Sequence, residues 1–173
     1  MQSSRSATNL FDPGLAGFAH RGLQHGAASI ENSIAAFAAA LEHGAGIECD
    51  LRLTRFTRFG RALREALDDH RGSCGVMTFD PRLARWLKTN APQILRGLVL
   101  RDRLSSIRRW GAMTMADPQF LAIDRTALGQ AWVARARDRM PVYSWTIRTA
   151  AERIAATPLV DALIWEADGR PRS

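Results

Sequence analysis

His20 and Arg21 stand side by side after a short apolar run, and two carboxylates, Glu48 and Asp50, follow with one residue between them. A neutral imidazole can accept a proton from water or a hydroxyl near pH 7. A neighbouring guanidinium can bind a phosphate group through two parallel hydrogen bonds. Carboxylate oxygens are the ligands that Mg²⁺ and Ca²⁺ prefer. Together these residue types predict metal-assisted chemistry on a molecule that contains phosphate.

The spacing of the two carboxylates supports a metal site but leaves an alternative open. Side chains two residues apart on a strand share a face, with Cα atoms about 6.6 Å apart, so Glu48 and Asp50 can converge on one cation. Buried carboxylates in a strand are costly in free energy unless a cation or another partner neutralises them. The alternative partner is Arg52 or another arginine at the strand ends. Glu31 has a similar alternative, because Glu31 and Asn32 can cap the helix that follows.

Strand-like and helix-like segments alternate along the chain, which places these residues on defined elements. The apolar alternation over 47–53 predicts a strand. Strong helix formers over 33–42 predict a helix, with Asn32 or Ser33 as the cap at its start and Gly44 after its end. The same patterns predict further strands over 17–20, 75–79, 96–100, 120–124, 141–147 and 161–166. They predict further helices over 58–72, 80–87, 104–110, 127–139 and 149–156.

Alternation with short links favours parallel strands joined by crossover helices, in six or seven units. A doubly wound open sheet and a (β/α) barrel both fit this order. The barrel is favoured because polar residues follow the predicted strands, and the ends of barrel strands are where active sites lie. These residues are His20, Asp50, Asp80, Asp124 and Thr146. The sequence shows no second domain.

Composition narrows the class of protein. The chain has 173 residues, which suits one domain, and a formal net charge of +7. Lys88 is the only lysine, and the arginines are dispersed rather than gathered in a stripe with aromatic residues, so we predict no nucleic-acid partner. No apolar run approaches the roughly 20 residues of a membrane helix, and the first residues lack a secretory pattern. We therefore expect a cytoplasmic protein without stable membrane insertion. The two cysteines do not form a disulfide framework.

Taken in order, three segments resemble the glycerophosphodiester phosphodiesterase family. The first is AHRG followed by ENSIAAFAAALEHGAGIECDLRLT, and it is the most specific. The second is VMTFDPRLARWLKTNAPQILRGLVL, and the third is PVYSWTIRT. The resemblance covers most of the chain from Phe18 to Glu166.

The resemblance implies an α/β fold of the TIM-barrel type seen in phospholipase-C-like phosphodiesterases. It implies metal-assisted hydrolysis of a small-molecule glycerophosphodiester to an alcohol and glycerol 3-phosphate, in lipid metabolism, with Mg²⁺ or Ca²⁺ as cofactor. His20 would be the general base, and Arg21 would contact the phosphate as a catalytic and substrate-binding residue. Glu31 would lie at the edge of the substrate site and Trp145 would flank the glycerol. Glu48 and Asp50 would be metal ligands.

The sequence also departs from the family pattern. The family's third strand ends in a His-Asp pair and its fourth carries a Glu-x-Lys-like motif, and neither is found here. We therefore expect an incomplete barrel with about six of eight βα units and an internal deletion near 54–59. The expected domain covers 17–173, after an N-terminal extension over 1–16. Such a barrel can close with fewer strands, stay open, or complete itself as a homo-oligomer. The alternative function is a catalytically impaired member that binds a phosphate-containing ligand or a partner.

Overall fold

A computed structural model of the protein describes residues 17–23, 30–48 and 75–171. The described strands, labelled in chain order, are β1 Phe18–His20, β2 Gly46–Glu48, β3 Gly75–Thr78, β4 Leu95–Leu100, β5 Phe120–Asp124, β6 Val142–Ile147 and β7 Ala162–Trp165. The described helices are α1 Ile34–Glu42, α2 Pro81–Asn90, α3 Ser106–Ala116, α4 Ala131–Arg137 and α5 Ala150–Ala156.

The described strands form one parallel sheet that curls into a half-barrel. Its order is β2-β1-β7-β6-β5-β4-β3, so β1 lies between β2 and β7, the last strand of the described ranges. Each of these strands pairs in parallel with its neighbours, which brings the carboxyl ends of all of them to one side of the sheet. The structure thus confirms the predicted α/β class and the truncated barrel type, and shows seven strands in the described ranges.

The helix signals in the sequence correspond to real caps. Ser33 is the N-cap of α1, and its side chain accepts a hydrogen bond from the backbone N–H of Ala36. Asp80 caps α2, with Pro81 in the first turn, where proline needs no hydrogen-bond donor. Thr149 and Glu152 form a reciprocal capping box at α5. Local chemistry therefore fixes where these three helices start.

The sheet has a different core on each face. On the outer face, small residues of the helices pack on the strands, as Ala40 and Ala84 do against the cluster that includes Leu98 and Ile123. Among the described residues, the concave face is filled by strand residues, chiefly Phe18, Val99, Phe120, Ala122, Tyr143, Ala162 and Ile164. Because side chains alternate along a strand, residues two positions beyond this inner cluster also face the mouth of the half-barrel.

The rings that fill the concave face need glycine on the neighbouring strand. A Cβ atom added at Gly97 would lie 2.2 Å from a ring carbon of Phe120. We expect Gly97→Ala to lower the free energy of unfolding by about 1–3 kcal/mol, because overpacking displaces a buried ring. Urea denaturation followed by circular dichroism measures the change.

Gly111 is the matched control, because it lies in α3 with nothing within 4 Å of an added Cβ. Gly111→Ala should raise stability by about 0.5–1 kcal/mol through helix propensity. Equal effects of the two substitutions would contradict the packing argument.

Several predictions fall outside the described residues: the extension over 1–16, the continuation of the second strand beyond Glu48, the junction near 54–59 and the helix over 58–72. No helix in the described ranges combines the length and the apolar character needed to cross a bilayer.

Candidate functional site

Three adjacent strand ends bring the candidate residues together. In the register of β1 with β2, His20 lies opposite Glu48. In the register of β1 with β7, Ala19 lies opposite Trp165, so the next residues on each strand are His20 and Glu166. His20 therefore stands between two carboxylates, and all three residues extend beyond the inner core cluster toward the mouth.

The imidazole of His20 uses its two nitrogens differently. Nδ1 lies 2.8 Å from Oε2 of Glu166, which is hydrogen-bond distance. Nε2 lies 4.0 Å from Oε2 of Glu48, which is too long for a hydrogen bond. The three side chains are partly shielded, with exposures of 16% for His20, 10% for Glu48 and 31% for Glu166. Of these two contacts, only the one at Nδ1 is therefore within hydrogen-bond distance.

Arg21 follows in a turn with a left-handed backbone, at a φ of 58°. A non-glycine residue in this region stores strain, and such strain concentrates at functional sites. The turn lets the backbone N–H of Arg21 donate to Oε2 of Glu48 at 3.2 Å. The guanidinium donates to Oε1 of Glu31 at 2.8 Å. Glu31 therefore orients Arg21 at the edge of the site, whereas Ser33 caps the helix.

Arg148 extends the site to one more strand end, that of β6, and the sequence reasoning missed both Arg148 and Glu166. Arg148 follows β6, and its Nε donates to Oε1 of Glu166 at 2.5 Å. Burial raises the pKa of Glu166, but the hydrogen bonds from His20 and Arg148 outweigh it and hold that pKa below its usual value. Glu166 is therefore ionised at neutral pH. A signal for it existed, because DALIWE ends its predicted strand on a carboxylate.

Trp145 lies on β6, with β7 between its strand and that of His20. Its indole N–H donates to the carbonyl of Ala122 at 3.1 Å, and its ring meets the ring of Phe79 edge-on at 5.5 Å. The guanidinium of Arg101 lies over the ring of Phe79, with its Cζ 4.9 Å from the ring centroid. These contacts hold Trp145 partly buried against the inner core cluster, as a wall beside the mouth.

Not every polar residue at a strand end joins the site. Asp80 accepts from the backbone N–H of Arg82 at 2.9 Å and pairs with its guanidinium at 2.7 Å. Asp124 accepts from the backbone N–H of Thr126 at 3.0 Å. Both carboxylates therefore serve as local caps, and Thr146 is buried. The rim residues that do converge in the described part of the chain lie at the ends of β1, β2, β7 and β6, the last through Arg148.

Glu48 has the chemistry of a ligand to a hard cation, because it offers a shielded carboxylate oxygen near the imidazole. Asp50, its predicted partner, lies outside the described residues. Within the described ranges, no group of three or more His, Cys, Asp or Glu side chains is arranged to hold a metal. Glu48 thus fits as one ligand, and the pairing with Asp50 stays a prediction.

Comparison with known proteins supports the resemblance at this segment. Residues 20–55 match the sequence model of the Glycerophosphoryl diester phosphodiesterase family. The chain resembles glycerophosphoryl diester phosphodiesterases. The match to the family covers His20, Arg21, Glu31, Glu48 and Asp50, which are the predicted residues of the first segment. No curated protein sequence matches the chain.

Solved structures extend the likeness to the fold. A glycerophosphodiester phosphodiesterase from Parabacteroides distasonis superposes with a TM-score of 0.67 at 14% identity, covering 88% of this chain and 94% of that one. A glycerophosphodiester phosphodiesterase from Thermotoga maritima superposes with a TM-score of 0.63 at 16% identity, covering 90% of this chain and 95% of that one. An Oleispira antarctica phosphodiesterase in complex with the product sn-glycerol-3-phosphate superposes with a TM-score of 0.61 at 16% identity. The match covers 78% of this chain and 56% of that one.

At these identities the likeness establishes the fold. The chain spans only 56% of the Oleispira protein and 50% of a further matched structure, from Silicibacter pomeroyi. The predicted fold and the resemblance to glycerophosphoryl diester phosphodiesterases are thereby confirmed. The roles of individual residues stay predictions.

Proposed function

We propose that this protein is a phosphoric diester hydrolase of the glycerophosphodiester phosphodiesterase type. It adds water across a P–O bond of a glycerophosphodiester and releases an alcohol and glycerol 3-phosphate. The observation that carries the proposal is the position of His20, held between Glu48 and Glu166 with Arg21 beside it. The family match over 20–55 and the product complex of the Oleispira phosphodiesterase support the same reaction.

Each described residue has a chemical task in this reaction. Nε2 of His20 accepts the proton of the attacking water or hydroxyl. Arg21, oriented by Glu31, binds the phosphate oxygens and offsets the negative charge that builds up during cleavage. Trp145 packs against the glycerol part of the substrate as one wall of its pocket. The substrate class is a small glycerophosphodiester of lipid metabolism, met in the cytoplasm.

A divalent cation, Mg²⁺ or Ca²⁺, completes the proposal, with Glu48 and Asp50 as its protein ligands. When bound, such a cation polarises a phosphoryl oxygen. Glu48 also fixes the turn after β1, because its carboxylate accepts the N–H of Arg21. Loss of the Glu48 charge should therefore affect both cation binding and the local geometry of the phosphate-binding arginine.

The proposal is tested by measuring glycerol 3-phosphate release from glycerophosphocholine, glycerophosphoethanolamine and glycerophosphoinositol, with added Mg²⁺ or Ca²⁺ and then with EDTA. We expect turnover of at least one substrate that EDTA abolishes. Glu48→Gln should lower kcat/KM at least about 100-fold, since several kcal/mol of charge stabilisation depend on the cation. It should also remove the rise in melting temperature that the cation gives to the wild type.

Glu42→Gln is the matched control, because Glu42 is an exposed glutamate at the end of α1. It should leave both turnover and the metal-dependent shift unchanged. Absence of turnover with all three substrates and both metals would reject the hydrolase. Binding of glycerol 3-phosphate without turnover would instead support the catalytically impaired, ligand-binding alternative.

A further inference from the structure

We propose that Glu166 is a positioning residue for His20, which holds the imidazole in the tautomer with its proton on Nδ1 and its lone pair on Nε2. The inference rests on the proposed function, in which Nε2 is the base. None of the sequence motifs points to this role, since Glu166 stands 146 residues away along the chain.

The hydrogen bond itself fixes the tautomer. An ionised carboxylate has no proton to donate, so it acts only as an acceptor. The 2.8 Å contact between Nδ1 and Oε2 of Glu166 therefore requires the proton to be on Nδ1. In a neutral ring this leaves Nε2 as the acceptor, on the side of Glu48. The same carboxylate then stabilises the imidazolium that forms once Nε2 has taken up a proton.

The charge of Glu166 is secured by its second partner. Arg148 donates from Nε to the other carboxylate oxygen, Oε1. Each carboxylate oxygen of Glu166 thus has its own donor, because Oε2 accepts from His20 and Oε1 accepts from Arg148. These hydrogen bonds keep the pKa of Glu166 low in spite of its partial burial. Arg148 is 55% exposed at its side chain, so it anchors the carboxylate from the solvent side.

The backbone also fixes the position of Glu166. Its N–H donates to the carbonyl of Ile147 at 2.9 Å, at the end of β6. The N–H of Gly169 in turn donates to the carbonyl of Glu166 at 3.0 Å, closing a short turn after β7. A Cβ at Gly169 would lie 2.0 Å from the carbonyl oxygen of Ile147, so the turn fits closely against β6. Glu166 is therefore set rigidly beside β1 before any substrate arrives.

The decisive measurement is the tautomer of His20, read from the ¹⁵N chemical shifts of the histidine-labelled protein at neutral pH, with His20→Gln used to assign its signals. We expect a protonated Nδ1 and an unprotonated Nε2 in the wild type. Glu166→Ala should remove this preference, and Arg148→Gln, at an exposed position, should weaken it without disturbing the fold. Glu42→Ala should leave the His20 signals unchanged.

Kinetics give the second readout. Glu166→Ala should lower kcat about 10- to 100-fold while KM changes little, because the ring is misoriented but the phosphate contacts stay. Glu166→Asp, which keeps the charge, should recover part of the loss. A proton on Nε2 in the wild type, or a tautomer unchanged in Glu166→Ala, would overturn the inference.

The two proposals fail in distinguishable ways. If the wild type shows no turnover but its tautomer depends on Glu166, the positioning contact stands and the hydrolase is rejected. If the wild type turns over and Glu166→Ala keeps both its rate and its tautomer, the hydrolase stands and the role of Glu166 is rejected.

Discussion

His20→Gln should lower kcat/KM for glycerophosphodiester hydrolysis about 10²- to 10⁴-fold. Glutamine has a similar reach and can still hydrogen-bond Glu166, but it has no nitrogen that accepts a proton near neutral pH. The fold should be preserved, because the side chain is only partly buried and its neighbours on β1 supply the packing. Steady-state kinetics with the best substrate of the panel measure the loss.

His43→Gln is the matched control for this substitution. His43 is exposed just after α1, and its ring contacts the carbonyl of Ala39 within the same helix. Its replacement should leave kcat/KM unchanged. A His20→Gln protein that folds and retains the wild-type rate would remove His20 from the reaction.

Trp165→Ala should lower the free energy of unfolding by about 3–5 kcal/mol. Trp165 is 1% exposed and lies on β7, where it is opposite Ala19 of β1 and Ile147 of β6. Its loss leaves a cavity directly behind the strand that precedes Glu166. Chemical denaturation followed by circular dichroism measures the change. The candidate site should become less ordered as the fold is destabilised.

Trp110 is the matched control for this substitution, because it is a tryptophan at an exposed position. Its side chain is 70% exposed on α3, so Trp110→Ala should change stability by no more than about 0.5 kcal/mol. If the two alanine variants unfold at the same denaturant concentration, then the burial of Trp165 on β7 does not contribute to stability as its packing indicates.

Most of the fold could be predicted because its signals are local. Ser33, Asp80 and Thr149 mark helix starts by their capping chemistry, and the structure uses each of them as a cap. The alternation of predicted strands and helices was sufficient to predict that the strands pair in parallel. The order of the strands did not, since nothing local in the sequence states that β7 lies beside β1.

The candidate site was predictable in part for the same reason. His20, Arg21 and Glu48 lie close together in a recognisable segment, and the structure brings them into contact. Glu166 and Arg148 could not be assigned to the site, because their connection to His20 depends on strands that are neighbours only in space. For Asp80 and Asp124 the error is the reverse: their positions at strand ends suggested a place in the site, but both are ordinary helix caps.

The pairing of β1 with β7 has a consequence for how the protein gains its function during synthesis. His20 emerges from the ribosome 146 residues before Glu166, so a nascent chain cannot form this contact until β7 has docked beside β1. Contacts between distant parts of a chain form slowly, because a long loop must close first. Maturation of the site should therefore lag behind the pairing of β4, β5 and β6, which follow one another both along the chain and in the sheet.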